Sequence, residues 1–331
     1  MSETHHEDGS QRVFHSEPHT SGIDTGRKRK PPKNLVDGMI KALRPKQWVK
    51  NVLVLAAPAA AGADALFHSR VLLDVLLAFI VFCMGASSIY LINDARDVEA
   101  DRAHPTKRFR PIAAGVLPVG LAYAMAALLI VGSIGLSFLA TAGPQLAIVM
   151  AVYIALQLGY CFGWKHMPVI DIALVSSGFM LRTMAGGVAA GIVLSQWFLL
   201  VAAFGSLFMA SGKRYSEILL AERTGAKIRK SLEGYTPTYL RFVWTLAATA
   251  LVMSYSLWGF QLSNAADGPA GVWYQVSMVP FTIAVLRYAA DVDRGNGGAP
   301  DEIALEDHAL QVLALLWLAC IAMAVYIIPM F

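Results

Sequence analysis

Charge is what this sequence has least of. Of its 331 residues 15% are Asp, Glu, Lys or Arg and 56% are hydrophobic, whereas soluble domains carry about 25% charged residues. That shortage excludes an ordinary soluble domain. Apolar runs of about 20 residues, long enough to cross a bilayer, recur along the chain, and no soluble domain fits between them. Cysteine is equally scarce. Cys83, Cys161 and Cys320 lie in apolar stretches without CxxC spacing, a pattern of buried, unpaired thiols rather than a disulfide framework or zinc site. A histidine pair suited to acid–base work is missing, since His104 and His166 stand apart. No fixed short repeat is visible.

The first 35 residues are poor in aliphatic side chains and read as a disordered cytoplasmic tail, too polar to fold alone. They lack an apolar core of the kind a secretory signal needs. His5, His6, His15 and His19 are scattered, and solvation or weak metal binding both suit them. The run Arg27-Lys28-Arg29-Lys30 would suggest a nucleic-acid arm in a soluble protein. Beside membrane helices it reads instead as a topology determinant facing anionic lipid, with no nucleic-acid partner.

What is present is an all-α, polytopic membrane pattern. Backbone in lipid must satisfy its own hydrogen bonds, so the apolar runs are expected to be helices. Nine spans are expected, roughly 48–66, 71–93, 117–139, 143–162, 169–190, 195–212, 238–262, 271–290 and 309–329. Lys and Arg crowd the tail and the loops at 94–116 and 213–241, while the alternate loops hold only Arg70. The positive-inside rule then places the N-terminus and both long loops in the cytoplasm and the C-terminus outside.

Against this apolar background, residues 94–110 stand out. Asn93, Asp94, Asp97 and Asp101 form N-D-x-x-D-x-x-x-D. If the second span continues as a helix, the three aspartates share one face. Like charges so placed repel and call for a cation. Oxygen-only ligands suit Mg²⁺, which takes one or two carboxylates plus phosphate oxygens; Arg96 and Arg102 could instead neutralise the acids as an ordinary ion-pair network. Lys107, Arg108 and Arg110 follow at once. Carboxylates beside guanidinium and ammonium groups match a metal-bound diphosphate, although topology alone also puts basic residues here.

A second mixed cluster ends the sixth span, with Lys213, Arg214, Tyr215 and Glu217 and then Glu222, Lys227, Arg229 and Lys230. The lead-in "LRPKQWVKN" adds Lys46, Gln47, Lys50 and Asn51, with Trp48 placed as an interfacial anchor. Within the fifth span lie Asp171 and Arg182. An arginine so deep is costly unless it faces a polar cavity or a partner, which favours a ligand over a structural ion pair. Gly178, Gly186 and Gly187 suit close helix packing. A secondary transporter is disfavoured, because the charges gather at one membrane face rather than in two repeated halves.

These residues, N-D-x-x-D-x-x-x-D after an apolar helix with a polar cluster four spans later, resemble the UbiA superfamily of intramembrane prenyltransferases from about residue 40 to the end. The stretches "RPKQWVKNVLVLAAP", "YLINDARDVEADRAHPTKRFRPIAAG", "FMLRTMAGG" and "GSLFMASGKRYSEI" resemble the branch that moves phosphoribose rather than a prenyl group. The resemblance implies a catalytic domain over residues 36–331. It also implies transfer from phosphoribosyl diphosphate to a polyprenyl (decaprenyl) phosphate in the plasma membrane, with Mg²⁺ on Asp94, Asp97 and Asp101. Substrate would be bound by Lys46, Gln47, Lys50, Asn51, Asn93, Lys107, Arg108, Arg110, Tyr160, Lys165, Arg182, Lys213, Arg214, Tyr215 and Glu217. A homo-oligomer is compatible with it. The sequence departs from the superfamily's second D-x-x-x-D motif, offering "KRYSE" instead. This counts against the alternative, a polyprenyl diphosphate donor with an aromatic acceptor, and suits a donor carrying more phosphate charge.

Overall fold

Helices account for every regular element among the described residues, which are 31–62, 66–225, 232–266, 268–294 and 307–328 of a computed structural model. The tail histidines, the basic run at 27–30, Lys227, Arg229 and Lys230 lie outside them. An amphipathic helix α1 (Leu35–Ala42) opens the described chain, capped by the Asn34 side chain accepting from the Asp37 N–H.

The expected first span is not one long α-helix. Arg44 takes a left-handed conformation, a 3-10 helix follows over Pro45–Leu55, and a short α2 covers Ala56–Ala60. Prolines at both ends of this stretch explain the break: Pro45 fixes the turn into the 3-10 segment, and Pro58 has no N–H for a continuous ladder. Trp48 is no simple interfacial anchor here. Its indole N–H donates to Ser87 Oγ at 3.0 Å, and that hydroxyl donates to the Leu43 carbonyl at 2.8 Å, fastening the lead-in to the next helix.

That helix, α3 (Ser69–Arg96), is about 42 Å long at 1.5 Å per residue, and α4 (Val98–Ala103) follows after Asp97 alone. Backbone bonds from Asp97 to Asn93 (3.0 Å) and from Asp101 to Asp97 (2.8 Å) carry the ladder across the join. The rest are α5 (Val119–Ser137), α6 (Gly143–Cys161), α7 (Ile170–Ala189), α8 (Gln196–Thr224), α9 (Pro237–Ala265), α10 (Ala270–Asp293) and α11 (His308–Ala322). A π-helical turn, Met323–Ile327, continues α11. Among the described residues six helices are long and apolar enough to cross a membrane: α3, α5, α6, α7, α9, and α11 with its π turn. The helices α8 and α10 have the length, but polar side chains such as Ser206, Ser211 and Arg214, or Gln275 and Ser277, dilute them.

Successive helices pack in a ring. The pairs α3–α5, α6–α7, α7–α8, α8–α9, α9–α10 and α10–α11 are in contact, and α7 also packs on α2 and the 3-10 segment. Tyr326 at the C-terminal end closes it, its hydroxyl donating to the Ala59 carbonyl at 2.8 Å. Leu128, Val131 and Leu315 are exposed, the outward apolar surface of a multi-pass membrane protein. Inside, an apolar cavity of about 500 Å³ is lined by residues of α2, α7, α8, α9, α10 and α11, including Ala56, Thr183, Trp258 and Trp317.

Gly186 fixes how closely the lead-in approaches α7. A Cβ there would lie 1.9 Å from the Val54 carbonyl oxygen, so the backbones would have to separate. Overpacking of this kind costs about 1–3 kcal/mol. Gly186→Ala is expected to lower the thermal unfolding midpoint in detergent, while Gly120→Ala, with open space around it, leaves it unchanged.

Candidate active site

The three aspartates keep to one side of the α3–α4 junction, yet they do not meet around a shared ion site. Among the described residues no group of three His, Cys, Asp or Glu side chains converges in the manner of a metal cluster. Arginines stand where a cation was expected. Arg44 Nη2 donates to both oxygens of Asp94 (2.6 and 2.8 Å), and Arg110 Nη1 donates to Asp94 (3.0 Å) and Asp101 (2.7 Å). Asp94 and Asp101 are buried, their side chains each 4% exposed, and a carboxylate out of water requires such partners. The expected three-carboxylate face is thus corrected to two arginine-neutralised acids and one accessible one.

Asp97 is the accessible one, 35% exposed. Lys165, from the turn between α6 and α7, reaches it at 3.3 Å, and Asn93 donates to it at 3.2 Å. Arg96 and Arg102, the counter-ions that sequence adjacency suggested, do not serve these acids. Arg96 lies over the Phe162 ring and Arg102 pairs with Glu99.

Arg44 is the residue that sequence reading misses, since it starts the lead-in cluster at Lys46. Its backbone at φ 54° is left-handed, a conformation costing about 1–2 kcal/mol for a residue with a Cβ. The bonds to Asp94 and stacking over Tyr90, 4.7 Å from the ring centroid, hold it there. Its only sequence signal is a position just before Pro45.

The second cluster is built on α8. Arg214 is buried between Glu217 (3.4 Å) and Asp171 (3.4 Å), with Tyr160 also hydrogen-bonded to it. Asp171 in turn accepts from the Tyr235 hydroxyl, which itself accepts from the Val169 N–H at 2.5 Å. Val169 is β-branched and at φ 71°, so this clamp fixes a strained turn four residues from Lys165. Burial, and then the bond to Asp171, push the Tyr235 phenol up, so it stays a donor at neutral pH.

The other expected site residues divide. Arg110, Asn93, Lys165, Tyr160, Arg214 and Glu217 belong to these two clusters, and Lys213 is half-buried beside Arg214. Lys46, Lys50, Lys107 and Arg108 are exposed, and Gln47 is half-buried. Asn51 and Arg182 bond to each other at 2.7 Å inside the bundle. Tyr215 turns away from the carboxylates. It is 1% exposed, stacked on Trp244, and its hydroxyl joins Asp293 (3.0 Å) and Arg241 (2.8 Å), so it ties α8 to α9 and α10 instead of facing the site.

A helical membrane ring with buried acid–base clusters is the arrangement of an intramembrane enzyme family, and similarity to known proteins identifies which. The UbiA prenyltransferase family matches residues 51–310, and the chain belongs to that family. It is 78% identical, over 99% of its length and 98% of the relative's, to the decaprenyl-phosphate phosphoribosyltransferase of Corynebacterium glutamicum. Identity to the decaprenyl-phosphate phosphoribosyltransferase of Mycolicibacterium smegmatis is 64%, over 89% of this chain and 95% of that one. In fold it is similar to a UbiA homolog from Archaeoglobus fulgidus bound to GPP and Mg²⁺, with a TM-score of 0.63 at 16% identity, covering 88% of this chain and 99% of that one.

If Arg44 and Asp94 stabilise each other as the geometry indicates, their effects on stability will not add. A double-mutant cycle of Arg44→Gln and Asp94→Asn, read by denaturant unfolding in micelles, is expected to give a coupling of about 1–3 kcal/mol. Additive losses would contradict the pairing.

Proposed function

We propose that this chain transfers 5-phosphoribose from phosphoribosyl diphosphate to decaprenyl phosphate. The products are decaprenylphosphoryl-5-phosphoribose and diphosphate, a step toward the arabinose donor of cell-wall arabinan. The observation that carries this reading is the 78% whole-length identity to a relative bearing that activity's name. Its physical counterpart is the charge of the two clusters: Arg44, Arg110, Lys165 and Arg214 are matched by Asp94, Asp97, Asp101 and Glu217, while the exposed Lys46, Lys107 and Arg108 add basic groups beyond those pairs. A donor bearing both a diphosphate and a 5-phosphate needs those further cations.

In the reaction an oxygen of the acceptor phosphate bonds to C1 of the ribose as the bond from C1 to the diphosphate oxygen breaks. The electron pair leaves on the diphosphate. The acceptor is already ionised near neutral pH, so no general base is required, in keeping with the lack of a histidine pair. Arg110, Lys165 and Arg214 would neutralise charge growing on the leaving oxygens, and preorganised donors of this kind contribute about 2.7–4 kcal/mol each.

The residue types fit Mg²⁺, which is usually completed by substrate phosphates rather than held in an all-protein cage. Asp97 and Asp94 would hold it with Asp101 close by, and when bound it supplies Lewis-acid stabilisation of the leaving group. For the carboxylates to take part, Arg44 and Arg110 must exchange them for the donor's phosphates. Nine membrane passes in the plasma membrane, with the active site and N-terminus cytoplasmic and the C-terminus outside, complete the reading. The catalytic domain is 36–331 and the preceding 35 residues form the tail.

Membranes containing the protein, given radiolabelled phosphoribosyl diphosphate and decaprenyl phosphate, are expected to form a labelled lipid. Chelation should abolish the product and added Mg²⁺ restore it. Asp94→Ala and Asp97→Ala should each lower turnover at least about 100-fold, the scale on which single charge-stabilising groups act. Product only from a polyprenyl diphosphate and an aromatic acceptor would favour the superfamily's commoner chemistry instead.

A further inference from the structure

Arg182 is the feature that the site described above does not use. It is buried on α7, and each guanidinium nitrogen already donates once: Nε to Asn51 (2.7 Å), Nη1 to the Gly178 carbonyl (2.7 Å) and Nη2 to the Tyr153 hydroxyl (2.8 Å). The rings of Tyr153, Phe82 and Phe179 surround it, 4.9, 5.8 and 5.9 Å from the guanidinium carbon. All of these partners are neutral, and Arg182 makes no ion pair with a described residue. The other buried arginine, Arg214, has two carboxylates. A lone cation in a low-dielectric interior is costly unless an anion joins it. The hydrogen bonds orient the guanidinium without neutralising it.

Its position indicates which anion. Asn51 also donates to Cys83 Sγ at 3.2 Å, and Cys83 lies eleven residues before Asp94 on α3, about 16 Å along the helix axis. Arg182 therefore sits well below the carboxylates, a separation that can hold a phosphate, a ribose and a diphosphate in line. The apolar cavity is lined by Thr183, the next residue of α7, and by Ala56, Ala59 and Ala60, which follow Asn51, although Arg182 itself is not part of its wall. A fixed positive charge one residue along α7 from the wall of an apolar chamber is complementary to an amphiphile with an anionic head. Gly178 keeps the head region open, since a Cβ there would lie 3.3 Å from Arg182 Nη1 and 3.1 Å from Gln157 Nε2.

We infer that Arg182, oriented by Asn51 and Tyr153, is the counter-charge for the phosphate of the polyprenyl acceptor, whose chain enters the adjoining cavity, while the donor is held by the upper clusters. The inference rests on the proposed reaction and divides its two substrates between two sets of cations.

The decisive variant is Asn51→Asp, which gives Arg182 a carboxylate of its own. A merely structural arginine would tolerate or welcome it. Purified full-length wild type, Asn51→Asp, Arg182→Gln and Arg182→Lys are compared in two ways. Farnesyl phosphate is expected to raise the wild-type thermal midpoint above the value with farnesol. That difference should vanish in Asn51→Asp and Arg182→Gln and partly persist in Arg182→Lys. In the labelled-lipid assay, KM for decaprenyl phosphate should rise at least tenfold in Asn51→Asp, with KM for phosphoribosyl diphosphate changed less than twofold. Equal midpoints with farnesyl phosphate and farnesol in the wild type would overturn the assignment. So would an unaltered difference in folded Asn51→Asp, or a rise in the donor's KM instead of the acceptor's. Should Arg182→Gln not fold, Asn51→Asp decides alone. Wild type that forms no labelled lipid refutes the proposed reaction, whereas the farnesyl phosphate comparison still judges Arg182.

Discussion

Neutralisation of buried carboxylates by arginine is the interaction on which the rest of this structure depends. Asp94 and Asp101 are nearly inaccessible, close enough to share Arg110 and bound to a bundle with few other charges. Without Arg44 and Arg110 they would be uncompensated anions in a medium where attraction and repulsion are both amplified. The pairing also shapes the chain, drawing the lead-in onto the end of α3 and holding Arg44 in a conformation it would otherwise avoid. A loop on one side and a helix on the other are thereby joined at the place where substrate is proposed to bind.

The same arrangement provides for exchange. An arginine that neutralises a carboxylate can neutralise a phosphate, and the acid it releases can accept a divalent ion. A divalent ion offsets only part of the donor's charge, so the guanidinium and ammonium groups must neutralise the rest. Asp97, less buried and bound by the flexible Lys165, is the natural first ligand. Arg214 has Asp171 and Tyr235 behind it as well as Glu217 beside it.

Much of this was legible in the sequence, and the part that was not has a common cause. Apolar runs are local patterns, and they gave the all-helical membrane class, with six of the helices long and apolar enough to cross a membrane among the described residues; the i, i+3, i+7 spacing of Asp94, Asp97 and Asp101 is local too. Gly186 and its neighbours were legible as packing positions for the same reason. Arg44 to Asp94 spans fifty residues and Asp171 to Tyr235 sixty-four, so neither leaves a periodic trace. Tyr215 was misread because it adjoins Arg214, although successive helical residues point in different directions. The first span was misread as continuous because residues 52–63 are almost wholly apolar while Pro45 and Pro58 interrupt the hydrogen bonding of the stretch.

The most direct test of this account is an experimental structure of the protein in lipid with Mg²⁺ and phosphoribosyl diphosphate bound. It should show density for a metal at Asp97 and Asp94, with the guanidinium groups of Arg44 and Arg110 moved from carboxylate to phosphate oxygens. A donor seated elsewhere, with both arginines still on Asp94 and Asp101, would contradict it.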